Sequence, residues 1–254
     1  MQPVSLKNHL GETLSGSLHR SATAGSSGFV LGHCFTCSRH TRILIDLSNT
    51  MAELGYTVLR FDFSGNGQSD GRFEESTYTK QIAEMSIAVD YLKENKVDHV
   101  FIGGHSMGAM VSLFTAAKRN DIDGVIALAL GEAPLHPDRL LTDSQKAQLL
   151  HTGSVDFASR GRDLVLTRKF FDDAARYDLK AVLSHIPCPA LIILAADDTV
   201  TDPDPLKRLI ADIDQPIDWI EIDGADHMFS SEKHRQVVME HITRWTRDHF
   251  SGGN

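Results

Sequence analysis

The chain has 254 residues and a formal net charge of −9, from 25 Lys and Arg against 34 Asp and Glu. With 41% hydrophobic and 23% charged residues it has the composition of a folded domain with enough apolar material for a core, which excludes a disordered chain. The acidic balance argues against a nucleic-acid partner, no apolar run approaches the ~20 residues of a membrane span, and three cysteines cannot build a disulfide framework. Met1–Lys7 lacks the apolar core of a secretory signal, so the expectation is a cytoplasmic protein with no membrane partner.

Two short alternating stretches, Val4–Leu6 and Leu14–Leu18, read as an antiparallel pair at the start of the chain. Six apolar runs then read as strands buried on both faces: Gly28–His33, Tyr56–Phe63, His99–Gly103, Gly124–Leu130, Ala190–Ala196 and Trp219–Ile222. Helical stretches fill the gaps. They are Thr41–Leu54, Thr79–Glu94, Met107–Lys118, Pro203–Ile213 and Ser230–Phe250, and Ser251–Asn254 reads as a frayed tail. This alternation predicts an α/β fold with a doubly wound, mostly parallel, eight-stranded sheet. Between Leu130 and Ala190 the rhythm stops. Pro137–Leu150 and Thr167–Ala175 read as helices there, and residues 132–186 are expected to form a small helical cap over a core made of residues 1–131 and 187–254.

The strongest chemical signal is Gly104-His-Ser106-Met-Gly108, between the apolar run Val100–Ile102 and a helical stretch. A serine there sits on a sharp strand-to-helix turn, flanked by glycines that let the backbone approach its neighbours, with a helix N-terminus facing any developing oxyanion. A serine hydroxyl needs a base. His227, in the loop Gly224-Ala-Asp-His227 after a strand, is the candidate, whereas His234, His241 and His249 fall on a helix. The acid that orients the base is expected directly after the preceding strand, where Asp197 is preferred and Asp198 is the alternative. The backbone N–H groups of Met107 and Phe35 are the expected oxyanion donors, and Phe35 and His105 are expected to contact substrate.

Three further features have quieter readings. Cys34-x-x-Cys37 reads as small residues packed under the site, with a redox-switchable disulfide as the alternative; no second ligand pair supports a metal. Gly65-Asn-Gly67 reads as a structural loop, because no helix opens behind it to cradle a phosphate. The basic residues Arg160, Arg162, Arg168 and Lys169 read as a solvated face of the cap rather than a carboxylate clamp.

Together the His33 loop, Arg60–Ser69, the serine elbow, Asp197-x-x-Val200 and Gly224-Ala-Asp-His227 resemble an α/β-hydrolase of the serine carboxylesterase and serine-aminopeptidase-like group, which includes feruloyl and cinnamoyl esterases. His33-Cys-Phe-Thr-Cys-Ser38 is similar to a narrower subset, with Cys34 where the family usually has glycine. The resemblance implies a serine esterase without cofactor or metal, acting as a monomer or homodimer on a small-molecule ester of small or medium acyl or aromatic type. Amide hydrolysis by the same triad, or a low-turnover sensor on the same fold, are the alternatives.

Overall fold

The computed structural model describes residues 1–20 and 25–250, so the expected tail at Ser251–Asn254 lies outside the described residues. Its centre is an eight-stranded sheet of order β1-β2-β4-β3-β5-β6-β9-β10. The strands are β1 (Gln2–Lys7), β2 (Thr13–His19), β3 (Ser27–Gly32), β4 (Thr57–Phe61), β5 (His99–His105), β6 (Gly124–Leu128), β9 (Ala190–Ala195) and β10 (Asp218–Ile222). The first two pair antiparallel, β2 runs antiparallel to β4, and the remaining neighbours are parallel.

The parallel strands carry apolar side chains on both faces because the sheet divides two cores. Phe29, Leu31, Phe101, Ile126 and Ile193 point to one core, while Val30, Val100, Ile102, Val125 and Ile192 point to the other. The first core receives Ile43, Leu44, Leu47 and Met51 from α1 (Arg42–Glu53) and Val238, Ile242 and Trp245 from α9 (Glu232–Phe250). The second receives α2 (Tyr78–Glu94), α3 (Met107–Ala116) and α8 (Pro203–Ala211). Alternation along each strand thus becomes a doubly wound sandwich. No helix among the described residues is long and apolar enough to cross a membrane.

The segment between β6 and β9 departs from an all-helical cap. It holds α4 (Pro137–Leu140), α5 (Asp143–Thr152), α6 (Arg168–Ala174), α7 (Leu179–His185) and an antiparallel hairpin, β7 (Ser154–Ser159) with β8 (Arg162–Thr167). The helix expected over Pro137–Leu150 is two helices. Leu141 is extended, and Thr142 opens α5 with a capping box to Gln145. The hairpin buries Val155, Leu164 and Leu166 and exposes Asp156, Ala158 and Asp163. Those buried side chains join Phe170 and Phe171 in the second core, which ties the segment to the sheet.

Candidate active site

The site lies at the C-terminal ends of β3, β5, β9 and β10. Ser106 follows β5 directly, with φ 55° and ψ −115°, a conformation that L-residues rarely adopt. Close packing holds it there. A Cβ on Gly108 would lie 2.3 Å from the Gly32 carbonyl oxygen, and one on Gly104 would lie 2.6 Å from the same atom. The two glycines therefore let α3 rise against the end of β3, while the Ser106 N–H is tied to the Leu128 carbonyl at 2.8 Å. Met107 is the first residue of α3, where backbone N–H groups have no acceptor within the helix.

The loop after β3 is fixed from beneath by a buried histidine. His33 Nδ1 donates to the Cys34 carbonyl at 2.8 Å, and its Nε2 accepts from the Phe63 N–H at 3.0 Å. Burial holds the His33 pKa below its ordinary value, so the ring is the neutral tautomer these two bonds require. The Cys34 carbonyl also accepts from the Cys37 N–H at 3.1 Å. All described peptide bonds are trans, so the Phe35 N–H points away from that carbonyl and its two donors. The Phe35 ring packs against Phe73, Phe157 and Phe170, at centroid distances of 5.6, 5.9 and 5.6 Å. Cys34 and Cys37 are joined in a disulfide across this turn, which replaces the reading of two merely packed cysteines. The third cysteine, Cys188, is buried and free, its thiol pushed up to about 12 by burial.

The aspartate expected beside the base was Asp197, and the structure corrects this to Asp198. Asp198 Oδ2 accepts from His227 Nδ1 at 2.6 Å. The chain turns once after β9, with the Asp198 N–H on the Ala195 carbonyl, and that turn sends Asp197 outward, exposed, while Asp198 faces in. The buried carboxylate is well solvated by the protein: Oδ1 accepts from the N–H groups of Val200 at 2.8 Å and Thr201 at 2.7 Å, and Oδ2 accepts from the Thr201 hydroxyl at 2.7 Å. Burial alone would raise its pKa, but the bonds from His227 and Thr201 outweigh it and hold Asp198 below the usual carboxylate range. His227 itself rides on a braced loop. Asp226 accepts from the N–H groups of Met228 and Ser230, and Arg235 ties the Phe229 and Ser230 carbonyls to Asp46.

His105 is also placed differently from expectation. It does not line the cavity that holds Ser106; it is fully buried behind His227, and its Nε2 donates to the His227 carbonyl at 2.6 Å. Burial, with the neighbouring His227 adding to it, pushes the His105 pKa down to about 3. Its role is to hold the backbone that carries the candidate base. The Gly65–Gly67 loop is structural as expected: it wraps the buried Asp62–Arg39 ion pair, and a Cβ on Gly67 would lie 2.1 Å from Asp62 Oδ2.

Ser106, Met107, Phe35 and His227 share one cavity of about 280 Å³, and Asp197 is not part of its wall. Tyr78, Met110, Leu135, Leu140 and Phe157 give that cavity an apolar interior, the last three coming from the segment between β6 and β9. Phe35 is part of the same wall. Among the described residues no group of three or more His, Cys, Asp or Glu side chains is arranged to hold a metal ion.

The chain matches the family model described as "Serine aminopeptidase, S33" over residues 36–141. It is 28% identical over 204 residues to a thermostable monoacylglycerol lipase of Bacillus sp. (strain H-257), spanning 75% of this chain and 78% of that one. Among solved structures it is similar to the ferulic-acid complex of Est1E from Butyrivibrio proteoclasticus, with a TM-score of 0.80 at 21% identity, covering 98% of this chain and 99% of the other. An esterase domain of a Rhodothermus marinus protein superposes with a TM-score of 0.76 at 22% identity, covering 97% and 98%. With the serine elbow, the parallel sheet and these structural likenesses together, the chain has the α/β-hydrolase fold.

Proposed function

We propose that the protein is a carboxylic ester hydrolase working through a Ser106 acyl-enzyme, with His227 as base and Asp198 as its orienting acid. The observation that carries the reading is the 2.6 Å bond from His227 Nδ1 to a buried carboxylate, in a cavity whose wall also holds Ser106. With its Nδ1 proton committed to Asp198, the ring presents an unprotonated Nε2 to act as base. His227 removes the Ser106 proton as Oγ attacks the ester carbonyl. The oxyanion is met by the N–H groups of Met107 and Phe35. His227 then protonates the departing alcohol and activates the water that releases the acid. The apolar interior and the cavity volume of about 280 Å³ suit a medium acyl chain or a single aromatic ring. The names of the monoacylglycerol lipase and of the Rhodothermus marinus esterase domain point to the same bond type.

A panel of p-nitrophenyl esters from acetate to decanoate, with hydroxycinnamate esters and matched anilides, tests the reading. Turnover peaking at medium or aromatic acyl groups, with anilides far slower, is the expected result. Absence of ester turnover, or anilides cleaved faster than esters, contradicts it.

A further inference from the structure

Beside the catalytic cavity lies a second, more open cleft of about 520 Å³, which shares Thr36, Arg160 and Met228 with it. Its wall carries Arg42, Arg160, Arg162 and His40, and no carboxylate. In a chain of net charge −9 this is a local inversion of sign. The guanidinium groups are only weakly committed. Arg160 donates to the Met228 thioether at 3.4 Å, and Arg162 donates to the Gly65 carbonyl at 3.0 Å and the Asn66 side-chain oxygen at 3.4 Å, all uncharged acceptors. Arg42 pairs with Asp46 at 3.0 Å, but Asp46 is shared with Arg235 at 2.6 Å. His40 adds no charge near neutral pH, because burial and the nearby Arg39 hold its pKa below the ordinary value.

Arg160 is also in an unfavourable place for its type. With Gly161 it forms the two-residue turn between Ser159 and Arg162, at φ 51° and 72°. A turn with both central residues at positive φ favours Asn or Asp ahead of Gly, and an arginine there runs against local preference. Its side chain reaches over the rim that separates the two cavities. Positions that break a local rule without a structural return are where function is expected.

From the cleft, its charge and its position we infer a subsite for an anionic group, carboxylate or phosphate, carried on the alcohol portion of the ester. The alcohol side follows from the chemistry: the leaving oxygen is protonated by His227, and Met228, the next residue, lines the basic cleft. The inference rests on the ester-hydrolase reading above. Guanidinium groups with uncharged partners bind such an anion through charge-assisted hydrogen bonds without first breaking an ion pair.

The test compares three butyrate-sized substrates on the full chain. They are p-nitrophenyl butyrate, the butyrate ester of a hydroxy-nitrobenzoic acid, which adds a carboxylate to the departing phenol, and mono-p-nitrophenyl glutarate, which puts the charge on the acyl side. The wild type is expected to prefer the carboxylated phenol ester over the neutral one by about tenfold or more in kcat/KM, with no such gain for the glutarate. The preference should shrink as NaCl is raised. Arg160→Asn, which suits the turn while removing the charge, should cut the preference severalfold, and Arg160→Asn with Arg42→Gln should abolish it. Turnover of the neutral ester without a preference for the charged one overturns the subsite alone, as does a preference that survives both substitutions. Turnover of none of the three overturns the hydrolase reading and the subsite with it.

Discussion

Asp197 and Asp198 are adjacent in sequence and opposite in environment. Asp198 is buried and accepts from His227, Val200 and Thr201, whereas Asp197 is exposed. Position after the strand was legible and singled out the pair, but it favoured Asp197, the nearer of the two. One turn after β9 decides which side chain faces inward, and it turns Asp198 in. The available signal was the hydrogen-bonding habit of an aspartate with N–H groups two and three residues on, which Asp198 meets at Val200 and Thr201. Asp198→Asn is expected to lower kcat by about 10³–10⁴-fold, by losing the tautomer and the charge that support His227. Asp197→Asn should stay within about twofold, since an exposed carboxylate is screened by solvent. Steady-state kinetics on the two variants decides it, and a larger loss at Asp197 would contradict the assignment. His105 teaches a related lesson: its place beside Ser106 suggested substrate contact, but alternation along β5 turns it behind the base.

The elements of the core were legible because their periodicity is strong. The strands next to the site and the helix after Ser106 lie within a few residues of their expected positions. The hairpin β7–β8 was missed: Val155 and Phe157 flank the polar Asp156, but Leu164 and Leu166 flank the apolar Val165, so the second strand shows no alternation. Its turn is Arg160-Gly161, not the Asn-Gly or Asp-Gly that usually marks such a loop. In the loop after β3 the disulfide was only the alternative reading, because a short Cys-x-x-Cys span does not state whether its ends are bonded. Here the disulfide spans the turn that holds Phe35, with Thr36 at φ 58° and its hydroxyl 2.8 Å from that of Ser159 in β7. Releasing that link is expected to loosen the Phe35 N–H, the proposed oxyanion donor, and to lower kcat more than it raises KM. Wild-type rates should fall severalfold under reductant and recover on reoxidation, while Cys37→Ser should be slow in both conditions. Equal rates for oxidised wild type, reduced wild type and Cys37→Ser would show that the link does not matter to catalysis.

Across the whole molecule, several histidines are buried in neutral form, and this sets an acid limit on stability. His19 is pushed down to about 4, by burial first and then by Arg60, and His105 to about 3. The unfolded chain protonates both near their ordinary value of 6.5, while the folded chain does not. Protons therefore favour unfolding, and the stability present above pH 6.5 drains away as pH falls toward 4 and 3. Asp198, held low, acts in the same direction further down. Glu84, held high by burial, acts in the opposite one. The urea midpoint is expected to decline between pH 7 and pH 5, before carboxylates titrate; a flat midpoint over that range would contradict the burial of neutral imidazoles.

The central claim is that Ser106 is the nucleophile, and active-site labelling tests it most directly. A fluorophosphonate probe followed by peptide mass analysis should place one adduct on Ser106 in the wild type. It should leave a folded Ser106→Ala variant unlabelled. A wild type that resists the probe, or an adduct on another residue that persists in Ser106→Ala, would contradict the account.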